Sequence, residues 1–221
     1  VGYDTNRIGI FGGTFDPPHI AHLIIAVEAV ERLALNKVLF IPAFVPPHKS
    51  GHVLSSFHDR LDMVRAAIGD NSAFEVSAIE ENLASPSYTV QTLSHLRKHF
   101  TQDSELYLII GSDSLRELDS WYEPQRIVSY ARLAIYPRPG FDSKPPSWIK
   151  ADNIIVLESP ELPISSTDLR RRRREGRSIR YYVPEPVYTI ILRKSLYNVL
   201  RIDGPPSSQY EGINGESPLH S

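Results

Sequence analysis

At its start the chain changes hydrophobic period twice, and this restricts the folds open to it more than any other feature. Arg7 to Phe11 (RIGIF) is a short β-branched apolar run ending at Gly12-Gly13, the pattern of a strand covered on both faces. From Ile20 apolar residues recur at helical spacing, as Leu23, Ile24, Val27, Val30 and Leu33, which gives one apolar face. A second apolar run, Val38 to Ile41, stops at Pro42. Strand, helix and strand in that order within roughly 35 residues make a βαβ unit, with parallel strands and a right-handed crossover.

The alternation continues. Helices are predicted over Leu61 to Ile68 and Tyr88 to His99, and strands over Ala73 to Ile79, Glu105 to Ile110, Leu133 to Tyr136 and Ile154 to Leu157. Short helical pieces lie around Trp121 and Ile127, and helices around Leu169 and Val187 close the pattern. The expected fold class is α/β, a Rossmann-like doubly wound parallel sheet with helices on both faces. Its ligand crevice lies beyond the carboxyl ends of the strands. Residues 1–202 are expected to form this domain. Pro139 to Ser147, with three Pro and one Gly, reads as an exposed loop. Asp203 to Ser221, rich in Ser, Pro and Gly, reads as a disordered tail.

The 24 Lys and Arg against 26 Asp and Glu give a formal charge of −2. No global field is available to hold a nucleic acid or an anionic membrane, so neither is an expected partner, and any phosphate must be gripped locally. Cysteine is absent, which removes disulfides, thiolate metal sites and a Cys nucleophile and fits a reducing compartment. No apolar run approaches the roughly 20 residues of a membrane span, and the start of the sequence carries no secretory pattern. A cytoplasmic protein is expected.

The most informative segment is Gly12 to His22, GGTFDPPHIAH. Gly12 and Gly13 allow a ligand close to the backbone and a turn that a Cβ would forbid. Asp16 is placed to cap the following helix, with Pro17 at its first position. His19 and His22 then fall three apart on one helix face. Backbone N–H groups, the positive end of the helix dipole and two imidazoles converge there, which makes an anion site, and after a βα turn the anion is a phosphate. Taken alone, the spaced His pair also fits solvated surface residues, or less readily metal ligands without a third partner nearby.

Phe11 to His22 resembles the HxGH signature of the nucleotidyltransferase superfamily, in the GGTFDPxHxGH form of bacterial nicotinate-nucleotide adenylyltransferases. The one departure is Ala21, where that motif has Gly. Further segments resemble the same family in order along the chain: Pro46-Pro47-His48-Lys49, Ser85-Pro86-Ser87-Tyr88-Thr89, Gly111-Ser112-Asp113, Trp121-Tyr122, Arg138-Pro139-Gly140, Ile164 to Arg170 (ISSTDLR) and Gly176 to Pro184. The likeness runs from about Ile8 to Leu200.

The resemblance implies transfer of the adenylyl group of ATP to nicotinic acid mononucleotide, with Mg²⁺ accompanying ATP and no dedicated protein metal site. It implies that His22 bonds the α-phosphate in the transition state, with His19 beside it. Gly12, Gly13, Thr14, Phe15, Gly111, Asp113, Ser166, Thr167 and Arg170 then hold ATP, Asp113 through the ribose hydroxyls. His48, Lys49, Tyr88, Thr89, Trp121, Tyr122 and Arg138 face the mononucleotide, with Trp121 stacked on the pyridine ring and Arg138 a phosphate contact. Of the run Arg170 to Arg174, only Arg170 is a motif position, and the other four read as mainly solvated. Two other readings stay open: another transferase of the superfamily, such as phosphopantetheine adenylyltransferase or a cytidylyltransferase, and a non-catalytic nucleotide-binding protein.

Overall fold

The computed structural model of the chain describes residues 6–47, 54–158 and 160–198. In chain order its elements are β1 (Arg7–Gly13), α1 (Ile20–Leu33), β2 (Lys37–Pro42), α2 (Phe57–Ile68), β3 (Phe74–Val76), α3 (Thr89–Arg97), β4 (Glu105–Gly111), α4 (Ser112–Arg116), α5 (Pro124–Tyr130), β5 (Arg132–Tyr136), β6 (Ile154–Val156), α6 (Ser166–Arg174) and α7 (Glu185–Arg193). All strand pairs are parallel, in the order β3-β2-β1-β4-β5-β6. The chain winds outward from β1 and then returns to lay β4 on the other side of β1. The crevice of a doubly wound sheet opens where that reversal occurs, between the carboxyl ends of β1 and β4.

Alternation along the strands sorts the core onto two faces. Ile8, Ile10, Leu39, Ile41, Leu106, Leu108, Ile110, Leu133 and Ile135 meet Val90, Leu93 and Leu96 of α3, Leu115 of α4 and Ile127 of α5. Phe11, Val38, Phe40, Tyr107, Ile109 and Ala134 meet Ile25, Ala26, Ala29 and Leu33 of α1 and Val64 of α2. A smaller cluster joins Met63 and Ala67 of α2 to Leu169 of α6 and to Val187 and Ile191 of α7. Complete burial of side chains such as Val64, Leu93 and Ile127 contributes about 1.5–3 kcal/mol each.

The structure departs from the sequence reading in four places. Helix α1 buries Ala21, Ile25, Ala26, Ala29 and Leu33, whereas Val27 is exposed and Leu23 and Val30 only flank the core. Three alanines let the helix lie close on the sheet, so the bulkier residues straddle its edges. Helix α2 starts at Phe57, a turn earlier than predicted, because the Ser56 hydroxyl accepts the Asp59 N–H at 3.1 Å and caps it. The strand predicted over Ala73 to Ile79 is only Phe74–Val76, followed by a 3₁₀ turn at Ile79–Asn82. Helix α4, five residues long, is too short to leave a periodic signature. The tail from Asp203 lies outside the described residues.

Candidate active site

The loop after β1 differs from its expected form. Gly12 and Gly13 are the last residues of the strand, and neither takes a positive φ. That angle falls on Phe15, at φ 50. A left-handed conformation is unfavourable for a bulky residue. The Phe15 ring is 2% exposed and packs against Phe11 and Phe40, so burial holds the backbone there. Nothing stands within 4 Å of where a Gly12 Cβ would be, which leaves this strand end open to a ligand's close approach.

Asp16 does not cap α1. His19 is the N-cap and the helix begins at Ile20. The Asp16 side chain is fully buried. Its carboxylate accepts the Tyr197 hydroxyl at 2.5 Å and the Ser55 N–H at 3.3 Å, which aims it away from the helix. The Tyr197 phenol is held above its ordinary pKa by burial and by Asp16.

The backbone of the same loop is gripped from other elements. Arg60 Nη1 donates to the Thr14 carbonyl at 2.9 Å, Ser166 Oγ to the Pro17 carbonyl at 2.8 Å, and Arg170 Nη1 to the Asp16 carbonyl at 2.7 Å. At the start of α6 the cap is Ser165, whose hydroxyl accepts the Asp168 N–H at 3.1 Å. Thr167 is exposed and accepts Arg170 Nη2 at 3.3 Å. The ISST segment therefore stands against the glycine-rich loop across a long stretch of sequence.

His19 and His22 are stacked, with ring centroids 3.7 Å apart. The His19 N–H donates to His22 Nδ1 at 3.1 Å, so in the neutral His22 ring the proton sits on Nε2, a donor. His19 is 2% exposed, which overturns the reading of the pair as solvated surface residues. Its Nδ1 is buried with no hydrogen-bond partner among the described residues. Burial, and then the charge of Arg138, push the His19 pKa down to about 3. The pair lines a small recess with Ala21, Tyr136 and Arg138, so this orphaned nitrogen sits beside the crevice.

The depressed pKa has a consequence for stability. The unfolded chain protonates this residue near its ordinary value of 6.5, and the folded chain does not until about pH 3. Between those values the unfolded state binds more protons, so stability falls as pH drops. Through this residue the protein loses about 2 kcal/mol between pH 7 and pH 5. Urea unfolding of wild type and His19→Asn at both pH values checks this. Equal losses in the two proteins would contradict it.

On the other side of the β1 end lies a cavity of about 550 Å³. Gly12, Gly13 and Thr14 form one wall, Gly111 and Tyr136 lie along the sheet, and Tyr88, Thr89, Trp121 and Tyr122 form the far wall. Thr89 is the first residue of α3, so the helix's positive end opens beside the cavity. The Tyr88 and Tyr122 rings are 4.6 Å apart. Trp121 packs against the core and lines the cavity at once. Tyr136 is shared with the histidine recess and divides the two.

Asp113, in the first turn of α4, stands 3.6 Å from Arg138 Nε. A Cβ on Gly111 would overlap Asp113 Oδ1 and lie 3.1 Å from Tyr136 Cζ and 3.2 Å from Arg138 Cγ. On the ribose contact that the resemblance implies for Asp113, the Gly111→Ala variant is expected to displace the carboxylate and raise the KM for ATP about tenfold. Steady-state kinetics with ATP varied tests this, and an unchanged ATP KM would oppose it.

The structure thus brings Gly12, Gly13, Thr14, Gly111, Tyr88, Thr89, Trp121 and Tyr122 to one cavity, and His19, His22 and Arg138 to the adjoining recess. Phe15 is packed beneath the loop, while Ser166 and Arg170 reach it from α6. His48 and Lys49 lie outside the described residues. Among the described residues no three His, Cys, Asp or Glu side chains gather to hold a metal ion. Within the arginine run, Arg172 reaches the Ser178 carbonyl and lies over the Tyr182 ring, and Arg173 Nε is buried. These two are not simply solvated, contrary to the sequence reading.

Sequence reasoning passed over Arg60, Glu80, Tyr136 and Tyr197. Arg60 left a signal, since it sits in the apolar stripe Phe57, Leu61, Val64, Ala67 that α2 buries. Glu80 left none, lying in a four-residue 3₁₀ turn.

Comparisons with known proteins fit this geometry. The cytidylyltransferase-like family profile matches residues 10–172. A protein of Desulfitobacterium hafniense named as a probable nicotinate-nucleotide adenylyltransferase is 45% identical over 202 residues, covering 87% of this chain and 96% of that one. One of Thermus thermophilus with the same name is 42% identical over 191 residues, covering 86% and 99%. Among solved structures, the Plasmodium falciparum nicotinic acid mononucleotide adenylyltransferase complexed with NaAD superposes with a TM-score of 0.70 at 19% identity. That alignment covers 87% of this chain and 97% of that one, and it carries the fold. A profile spanning most of the chain, with relatives above 40% identity along nearly its whole described length, shows that it belongs to the cytidylyltransferase-like family, among the nicotinate-nucleotide adenylyltransferases.

Proposed function

We infer that the chain transfers the adenylyl group of ATP to nicotinic acid mononucleotide, giving nicotinic acid adenine dinucleotide and pyrophosphate, a step of NAD biosynthesis. The observation that carries this reading is the pairing of two recesses at one strand end. One is lined by stacked imidazoles and Arg138, the other by aromatic rings, the start of α3 and Gly12 to Thr14, and Tyr136 lines both.

A mononucleotide phosphate has its second pKa near ~6 and is mostly ionised at neutral pH, so no general base is required. One of its oxygens attacks the α-phosphorus of ATP in line. That bond forms as the bond to the bridging oxygen breaks, and pyrophosphate carries away the electron pair. Catalysis is then positioning plus stabilisation of charge on the α-phosphate oxygens.

His22, with its donor Nε2, is assigned the α-phosphate, and His19 Nδ1 and Thr14 adjoining oxygens. Asp113 takes the ribose hydroxyls, Gly111 clears room for it, and Ser166, Thr167 and Arg170 face the polyphosphate, with Gly12, Gly13 and Phe15 shaping the floor. Trp121 and Tyr122 hold the pyridine ring, and Tyr88 and Thr89, at the positive end of α3, its carboxylate. Arg138, His48 and Lys49 complete the set on the mononucleotide phosphate. Mg²⁺ accompanying ATP would be held by phosphate oxygens and water and would offset the charge of the polyphosphate. ATP use and the absence of cysteine fit a cytoplasmic location.

A substrate panel tests the reading: ATP against CTP, and nicotinic acid mononucleotide against its amide and phosphopantetheine, followed by pyrophosphate release. Turnover is expected with ATP and the nicotinic acid compound. Preference for CTP or phosphopantetheine, or no pyrophosphate from any pair, would overturn it.

A further inference from the structure

Arg60 is among the largest fully buried side chains of the protein. Its guanidinium meets three carbonyls from two connections: Thr14 after β1 from Nη1 at 2.9 Å, and Ser55 from Nε at 3.2 Å and Phe44 from Nη2 at 3.4 Å, both between β2 and α2. Burying a guanidinium is costly, and among the described residues its hydrogen-bond partners are carbonyls rather than a carboxylate, a poor exchange for stability alone. An apolar side chain would serve the core better at this position of α2. The residue's value therefore lies in what its planar fork fixes.

Glu80 completes the arrangement. It is 7% exposed and lines the aromatic cavity. Its Oε2 accepts the Phe44 N–H at 3.2 Å and its Oε1 the Thr92 hydroxyl at 2.8 Å. Phe44 is thus held on both sides, its N–H by Glu80 and its carbonyl by Arg60. One unbroken polar chain runs Thr92, Glu80, Phe44, Arg60, Thr14. It starts on the α3 side of the proposed mononucleotide pocket and ends on the loop proposed to hold ATP's phosphates. At Ser55 it is joined by Asp16, whose carboxylate accepts that residue's N–H while Arg60 bonds its carbonyl.

We propose that Arg60 and Glu80 are positioning residues forming a buried relay that locks the mononucleotide pocket and the ATP loop into one geometry. Neither is placed against a reacting atom. Both bond Phe44, one on each of its two flanking peptide units, and the two substrate sites are coupled through that residue.

This rests on the adenylyl-transfer reading, and the test separates the two. Arg60→Lys, Arg60→Met, Glu80→Gln and the Arg60→Lys/Glu80→Gln double variant are made in the full chain. Each is compared with wild type by steady-state kinetics in both substrates and by calorimetric titration of each substrate alone. Wild type without turnover defeats the functional reading and leaves the titrations to judge the relay.

If the relay operates, Glu80→Gln raises the ATP KM by about tenfold although it touches nothing in the ATP loop, and Arg60→Lys raises the mononucleotide KM similarly. The double variant then loses clearly less than the product of the single effects, because either break disconnects the same chain. Arg60→Lys is expected to keep more activity than Arg60→Met, since an ammonium retains the charge and one of the three bonds. Effects confined to the nearer substrate and multiplicative in the double variant would overturn the proposal. If Arg60→Met does not fold, the lysine and glutamine variants carry the comparison.

Discussion

Replacing His22 with alanine is expected to lower kcat by ~10²–10³, the typical cost of removing one preorganised donor to developing charge. The dissociation constant for the mononucleotide should change little. The hydrogen bond from the His19 N–H to His22 Nδ1 fixes the ring's tautomer and points its donor, Nε2, toward bonding partners other than the helix start. Stacking on His19 and edge contacts from Phe15 fix its orientation. A donor held in this way strengthens its bond as charge gathers on the α-phosphate oxygens, so its removal registers in kcat more than in ground-state binding. Pre-steady-state turnover and direct titration of the mononucleotide separate the two. Turnover within a few-fold of wild type would remove His22 from the mechanism.

Arg170→Ala is expected to reduce kcat/KM for ATP about a hundredfold, on the scale of a charge-assisted contact to a polyphosphate. The residue also has a structural task, since its Nη1 holds the Asp16 carbonyl of the loop that His19 and His22 follow. A purely structural role predicts a lowered melting temperature and equal losses for both substrates. A role on the polyphosphate predicts a loss concentrated in ATP. Arg170→Lys distinguishes them further, because a lysine keeps the charge and loses the fork. It should recover part of the ATP term and leave the loop contact broken. If the alanine variant binds ATP as wild type does, the assignment of Arg170 to ATP fails.

Both predictions concern residues whose identity was visible in the sequence and whose neighbours were not. His19 and His22 stood out by their spacing after a glycine-terminated strand, yet nothing local showed that His19 would be buried and stacked. It caps a helix whose face on the sheet is built largely from Ala21, Ala26 and Ala29, small residues that carry little weight in a hydrophobic pattern. In the same way Asp16 reads locally as a helix cap. Its carboxylate is taken instead by Ser55 and Tyr197, the latter 181 positions away. Local capping and a distant phenol compete for the same oxygen atoms, and only tertiary packing decides between them.

By itself the sequence determined the alternation of strands and helices, since short continuous apolar runs and apolar residues at helical spacing are written in the chain itself. It also determined the chemistry at the strand ends, because the residue types there, imidazole, guanidinium, hydroxyl and indole, set what each can donate or stack against. The tertiary structure alone decided the strand order that puts the ends of β1 and β4 side by side, the meeting of α6 with the glycine-rich loop, and the buried path from Thr92 to Thr14. Those arrangements arise from contacts between segments far apart in the chain, whose energies appear only once the sheet has closed around them.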